Sequence, residues 1–186
     1  MEIIERPLKG VFEITLRPNL DERGFFMRVY DKILFDKSGL SFDWLQENHS
    51  RSEMKGIIRG LHMQRPPFAE TKLVRCIRGA VMDVFVDLRD GSSTFGQWDY
   101  IELSEHNRKM ILIPRGFAHG FCTLTVESEV LYKVDNLYSK EHELGILWND
   151  NDLNITWPVA DPILSEKDKN NLSLQEFIKV YKAIKI

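Results

Sequence analysis

From Gly10 onward the chain breaks into short segments rich in Val, Ile, Phe, Tyr and Thr, parted roughly every ten residues by turn-forming residues. Segments of that length, with Gly, Pro, Asn, Asp and Ser between them, are what an all-β sandwich or barrel is written in. The pattern predicts strands over 11–16, 25–30, 44–51, 57–62, 72–78, 80–88, 97–103, 109–113, 118–124 and 129–136. Val81-Met82-Asp83-Val84-Phe85-Val86-Asp87-Leu88 is apolar at most positions of both parities, so it reads as a central strand covered on two sides. Turn chemistry follows at Arg89-Asp90-Gly91-Ser92-Ser93 and again at Ser104-Glu105-His106-Asn107.

Two segments carry the helical period instead. A short one spans 31–37. The second, over 173–184, opens on the capping box Ser173-Leu174-Gln175-Glu176 and continues with Leu174, Phe177, Ile178, Tyr181 and Ile184 at helical spacing. It is expected to lay one apolar face on the sheet or on a neighbouring subunit.

Composition narrows the class. The 186 residues show no repeat, linker or low-complexity tract, and are expected to form one domain over 1–186 that buries a core without staples. A net charge of -3 argues against nucleic acid as the partner. Cys76 and Cys122 lie inside apolar runs and read as small buried hydrophobes in a reducing compartment. The first residues lack the pattern of a secretory signal, and no apolar run reaches the length of a membrane span, so a cytoplasmic protein with no membrane partner is expected.

The candidate chemistry centres on Gly56–Gly79, two apolar runs joined at Arg65-Pro66-Pro67-Phe68, with His62 and Lys72 carried on the strands as a pocket wall. Gly56, His62, Glu70 and Gly79 fall at the spacing of the first cupin metal motif, and Pro114-Arg115-Gly116-Phe117-Ala118-His119 resembles a second cupin element. The motif's second histidine is Gln64 here. A divalent metal needs three or four converging N, O or S ligands. The missing imidazole therefore argues for acid–base chemistry and no metal.

Further landmarks sharpen the resemblance. They include Asp21-Glu22-Arg23-Gly24-Phe25-Phe26, Gln46-Glu47-Asn48-His49-Ser50, Arg59-Gly60-Leu61-His62, Lys72-Leu73-Val74-Arg75, Leu131-Tyr132-Lys133, Trp148-Asn149-Asp150, Ile155-Thr156-Trp157-Pro158 and Leu164-Ser165-Glu166-Lys167-Asp168. In order and spacing, from Gly10 to about Asp168, the chain resembles the dTDP-4-dehydrorhamnose 3,5-epimerase family. The resemblance implies a cupin-type jelly roll with a few short helices and a C-terminal helix, a homodimer, and catalysis without metal or organic cofactor. The implied substrate is a 4-keto-6-deoxyhexose on a nucleoside diphosphate, in which the C4 ketone makes the C3 and C5 hydrogens removable as protons.

Roles follow from the same resemblance. His62 would be the base, since an imidazole with a reference pKa of ~6.5 can take a proton near neutrality. Asp168 would orient its ring, Tyr132 would donate a proton to the opposite face, and Lys72 would meet the charge developing on the C4 oxygen. Arg23, Gln46, Asn48, Arg59 and His119 are implied as substrate contacts, with Tyr138, Glu143 and Lys167 as further candidates. An arginine fork suits the diphosphate.

Alternatives stay open at this point. Asp83 on the central strand rivals Asp168 as the partner of His62. An isolated histidine in a strand is by itself more often structural than catalytic, and His106 and His142 read as surface residues. Arg28 stands where the family carries a glutamate. If it meets the base, it suits the acceptors of cytosine, so a CDP sugar stands beside the dTDP sugar. A single-position epimerase, a metal-dependent cupin and a non-catalytic sugar-binding jelly roll are the competing classes.

Overall fold

Two antiparallel sheets face one another in the computed structural model, which describes residues 1–186. Labelled in chain order, the six-stranded sheet runs β1 (Glu2–Glu5), β2 (Phe12–Thr15), β10 (Lys109–Ile113), β7 (Lys72–Arg78), β12 (Ser128–Val134), β5 (Gln46–Ser52). The five-stranded sheet runs β13 (Glu143–Gly145), β6 (Ile58–Gln64), β11 (Phe117–Thr123), β8 (Ala80–Asp87), β9 (Trp98–Ser104). A separate hairpin pairs β3 (Asn19–Asp21) with β4 (Gly24–Phe26). The arrangement is the predicted all-β sandwich.

Three apolar layers result from strand alternation. Between the sheets, Val74, Cys76, Ile111 and Val130 meet Val81, Phe85, Phe117 and Phe121. The outer face of the five-stranded sheet, from Met82, Val84 and Val86 on β8, is covered by the C-terminal segment through Leu153, Trp157, Leu174 and Phe177. The outer face of the six-stranded sheet, from Ile14, Leu73, Met110 and Leu112, is covered by Phe35 and Leu40 with the aromatics Tyr30, Phe42 and Trp44. Hence β8 is buried on both faces, as its continuous apolar run required.

Helix α1 (Lys32–Lys37) starts at Asp31, whose carboxylate accepts the Ile33 and Leu34 amides, and is pinned by the fully buried Phe35. Helix α3 (Leu174–Tyr181) begins on the predicted capping box, and Asp150 Oδ2 also accepts the Leu174 amide at 2.8 Å. It stops at Tyr181, short of the predicted 184. Lys182 takes φ 62°, and Ile184 instead bridges Arg89 in extended form, which buries it by another route.

The structure corrects other expectations too. The predicted strand 25–30 pairs only over Gly24–Phe26; Met27, Val29 and Tyr30 turn down onto the outer apolar layer, where packing competes with pairing. Strands β1, β3 and β13 and the one-turn helix α2 (Glu166–Lys169) are too short to show a period. No helix is long and apolar enough to cross a membrane.

The pairing of β6 with β11 sets His62 opposite His119 and passes through an irregularity before Arg59 meets Phe121. Gly60 sits there at φ 123°, where a Cβ would lie 2.6 Å from Gly120 Cα and 2.7 Å from the His119 carbonyl oxygen. Only glycine tolerates both the angle and the approach. Gly60→Ala is therefore expected to cost about 3 kcal/mol or more in stability, read from the urea midpoint at pH 7.

Candidate active site

A cavity of about 460 Å³ opens between the two sheets. The five-stranded sheet contributes Arg59 and His62 from β6 with His119 and Phe121 from β11, and the six-stranded sheet faces them with Ser50, Lys72 and Tyr132. A third wall is the segment from Ile163 to Asp168 that leads into α2. Inward parity on β5, β7 and β12 selects Ser50, Lys72 and Tyr132 and sends Lys133, Arg75 and Glu47 outward.

His62 Nε2 lies 2.5 Å from Asp168 Oδ1. Asp168 is buried, with Oδ2 accepting the Gly60 amide at 3.4 Å and its own amide donating to Ser165 Oγ at 3.1 Å. Burial pushes the carboxyl upward. The hydrogen bond and charge of His62, the Gly60 amide and Ser165 together outweigh it and hold Asp168 below the usual carboxylate range. With Nε2 engaged by an anion, Nδ1 is the nitrogen left to accept a proton.

The other carboxylate has a different task. Asp83, fully buried on β8, accepts His119 Nε2 at 2.9 and 3.1 Å, so His62 belongs to Asp168 and His119 to Asp83. Tyr132 is half-buried. Burial first, then the charges of Glu70 and Glu143, raise its pKa against the opposing charge of Arg59, so the phenol keeps its proton at neutral pH. Lys72 Nζ lies 3.4 Å from Glu70 Oε1 and 3.5 Å from the His62 carbonyl oxygen.

A second network edges the cavity. Glu143 takes Lys167 Nζ at 2.5 Å and the Tyr138 hydroxyl at 3.0 Å, while Gln46 Oε1 accepts the Tyr138 amide at 2.9 Å. Burial raises the Glu143 carboxyl, but Lys167, Tyr138 and the charge of His62 carry it below its ordinary value. Arg59 donates to Ser52 Oγ and to the Arg51 carbonyl. Asn48 lies on β5 opposite Tyr132, exposed and outside the cavity wall. Gln64, in the place of the motif's second imidazole, binds Glu70, the carbonyls of Phe68 and Leu137, and the Ser139 amide.

Of the predicted residues, Gln46, Asn48, Tyr138 and Glu143 are not part of the cavity lining, and neither are Arg23 and Arg28. Arg23 pairs with Asp21 on the exposed hairpin, and Arg28 with Asp31 at the start of α1. His142 is not a free surface residue: its ring packs against Phe68 at 4.6 Å and bonds Ser139 at 2.7 Å. The residues that sequence reasoning passed over are Ser50, Ser165 and Phe121. Parity on the predicted strands 44–51 and 118–124 could have found the first and last, and the Ser-x-x-Asp cap signature the second.

A sequence profile described as dTDP-4-dehydrorhamnose 3,5-epimerase matches residues 5–176. The chain belongs to this family. It is 46% identical over 179 residues to the dTDP-4-dehydrorhamnose 3,5-epimerase of Shigella flexneri, spanning 96% of this chain and 97% of the relative. The Bacillus anthracis dTDP-4-dehydrorhamnose 3,5-epimerase, crystallised with TDP and PPi bound, superposes with a TM-score of 0.91 at 46% identity, over 93% of this chain and 99% of that one. The Legionella pneumophila dTDP-6-deoxy-D-glucose-3,5-epimerase, in complex with dTDP-4-keto-L-rhamnose, gives 0.89 at 38% identity, over 94% and 93%. The cupin-type fold of these epimerases is thus the fold of this chain.

Asp168 links the site to acid stability. A carboxyl held low in the folded state contributes stability above its unfolded pKa of ~3.9 and loses it as pH falls through the folded value. The stability deficit of Asp168→Asn is therefore expected to be largest near pH 7 and to shrink below about pH 4, as measured by urea unfolding across that range.

Proposed function

We propose that this protein is a single-domain 3,5-epimerase that converts dTDP-4-dehydro-6-deoxy-D-glucose to dTDP-4-dehydro-L-rhamnose through an enolate. The observation that carries the reading is a carboxylate-held imidazole on one sheet, with a protonated phenol and an ammonium on the facing sheet. The similar epimerases crystallised with TDP and with dTDP-4-keto-L-rhamnose support the nucleotide and the sugar.

In this reading the C4 ketone acidifies the C3 and C5 hydrogens. His62 Nδ1 takes one proton, and the electron pair moves onto the C4 oxygen, whose charge Lys72 meets. Tyr132 returns a proton to the opposite face of the carbon. For the next turnover the imidazolium releases its proton and the phenolate regains one, both by way of solvent. No electrons are gained or lost overall. Gln46, Asn48, Arg59, His119, Tyr138, Glu143 and Lys167 are the proposed contacts to the rest of the substrate.

The same proposal includes a homodimer. Leu20, Phe25 and Phe26 on the β3–β4 hairpin are 71%, 59% and 66% exposed, an apolar tip that a second copy would cover. Such docking would carry Arg23 and Arg28 towards the neighbouring site. Buried, unpaired Cys76 and Cys122 are in keeping with a cytoplasmic location.

Proton NMR in deuterium oxide tests the chemistry with the sugar supplied once as its dTDP and once as its CDP derivative. Deuterium is expected at both C3 and C5, faster with dTDP. Exchange at one carbon would make the protein a single-position epimerase, faster exchange with CDP would assign Arg28 to the base, and no exchange would sink the reading. Tyr132→Phe is expected to retain wash-in while product inversion falls about 100-fold or more, because the base alone can exchange a proton on its own face. Sedimentation of wild type and Phe26→Asp is expected to give dimer and monomer respectively; a monomeric wild type would remove the dimer.

A further inference from the structure

Glu70 occupies the position at which the cupin pattern puts a metal-binding carboxylate, and the structure gives it other neighbours. One oxygen, Oε2, accepts the Gln64 amide at 2.9 Å; the other, Oε1, faces Lys72 Nζ at 3.4 Å. Both partners of this ion pair are nearly out of water, with side chains 11% and 10% exposed. Gln64 is itself fixed by three further hydrogen bonds, to Phe68, Leu137 and Ser139. Anchored by Gln64 through one oxygen, the carboxylate presents the other to the Lys72 ammonium.

We infer that Glu70 is a positioning residue for the proton-transfer site, holding the Lys72 ammonium at the cavity wall. The inference rests on the roles of Lys72 and Tyr132 proposed above. The ammonium has only two contacts in the chain, both near the limit of a hydrogen bond, so it is held in place yet retains a donor for an oxygen in the cavity. A buried ammonium without a carboxylate beside it would be free to swing to other acceptors and would carry its desolvation uncompensated.

Other titratable groups also face the Tyr132 phenol or line its cavity. Glu143 comes from β13, Arg59 and His62 from β6, Lys72 from β7, His119 from β11, and Lys167 and Asp168 from α2. Glu70 and Glu143 are the two whose charge raises the phenol, with burial the larger cause and Arg59 opposing. Removing the charge of Glu70 lets the phenol ionise at lower pH. Since the protonated phenol is the form that donates, activity would then be lost at lower pH.

The test is Glu70→Gln, which keeps an acceptor for Gln64 and removes only the charge, with Glu70→Asp as the charge-retaining variant. For Glu70→Gln, kcat is expected to fall about 10-fold with KM within about 2-fold, and the alkaline limb of the kcat profile to move down by about half a pH unit or more. Glu70→Asp should keep the limb in its wild-type position even where the shortened side chain lowers kcat. In a Lys72→Met background, Glu70→Gln should cost less than it does alone. Wild-type kcat and limb in Glu70→Gln, or a full additional loss in the Lys72→Met background, would overturn the inference. If Lys72→Met and Tyr132→Phe themselves kept wild-type inversion rates, the failure would lie with the proposed epimerase roles, not with Glu70. Should Glu70→Gln not fold, the limb in Glu70→Asp decides: a downward shift there despite the retained charge would refute it.

Discussion

A carboxylate taken out of water needs donors on every side, and Asp168 has to find them far from its own position in the chain. Its acceptor bonds go to the ring of His62 and the amide of Gly60, both on β6 and more than a hundred residues earlier. The segment that brings it there is zipped to the start of β6: the Ile58 amide donates to the Ile163 carbonyl at 3.0 Å, and the Ile163 amide to the Gly56 carbonyl at 2.9 Å. Trp157 and Ile155 anchor the preceding turn in the outer apolar layer, with the Trp157 indole bonded to the Trp148 carbonyl. The C-terminal layer thus both covers the five-stranded sheet and supplies a wall of the cavity. Loosening it would expose Met82 and Val84 and would also strip His62 of its orienting anion.

The same side-chain pairing occurs twice in the molecule with different surroundings. His119 and Asp83 are closed off, with side chains 8% and 0% exposed, whereas His62 is 28% exposed over a carboxylate that is almost covered. Burial of both partners makes the first pair a fixed dipole in the wall. Access on one side leaves the second pair with a ring nitrogen that can meet a substrate. Neighbouring positions in the β6–β11 register, His62 opposite His119, therefore differ in chemistry because one ring keeps an exposed side in the cavity and the other is closed off beside its carboxylate.

What the sequence could disclose followed the range of the interactions. The doubly buried β8 and the capping box of α3 were legible, since a continuous apolar run and a Ser-x-x-Glu spacing are local signals. His62 and Lys72 stood out as a pocket wall on the Gly56–Gly79 runs, whereas Tyr132 was legible only through the resemblance. Whether Asp168 or Asp83 served His62 was not legible from the residues, because no local pattern records a contact between β6 and a one-turn helix near the C-terminus. The 27–30 stretch was misread because its apolar alternation suits a strand equally well, and the choice between pairing and packing was made by Leu73, Met110 and Leu112 beneath it. Gln64 and Glu70 were placed correctly along the chain, but the cupin spacing said nothing of the loop carbonyls and the lysine that they bind.

Charge is distributed around the cavity in pairs, with one exception. His62 has Asp168, His119 has Asp83, Lys72 has Glu70 and Lys167 has Glu143. Arg59 has no carboxylate partner; it is held by a serine hydroxyl and a backbone carbonyl, both neutral. A cation paired to a carboxylate keeps its place but has part of its field cancelled, whereas an arginine fixed by neutral acceptors retains its full charge for an incoming anion. In the proposed binding mode, a nucleoside diphosphate would meet one uncompensated guanidinium, and the sugar would meet groups whose charges are already balanced. That division suits a proton-transfer site. On the proposed roles, the anchoring charge would lie on the group that does not react, and the balanced pairs would surround the carbon that does, where a small shift of a proton changes the local charge the most.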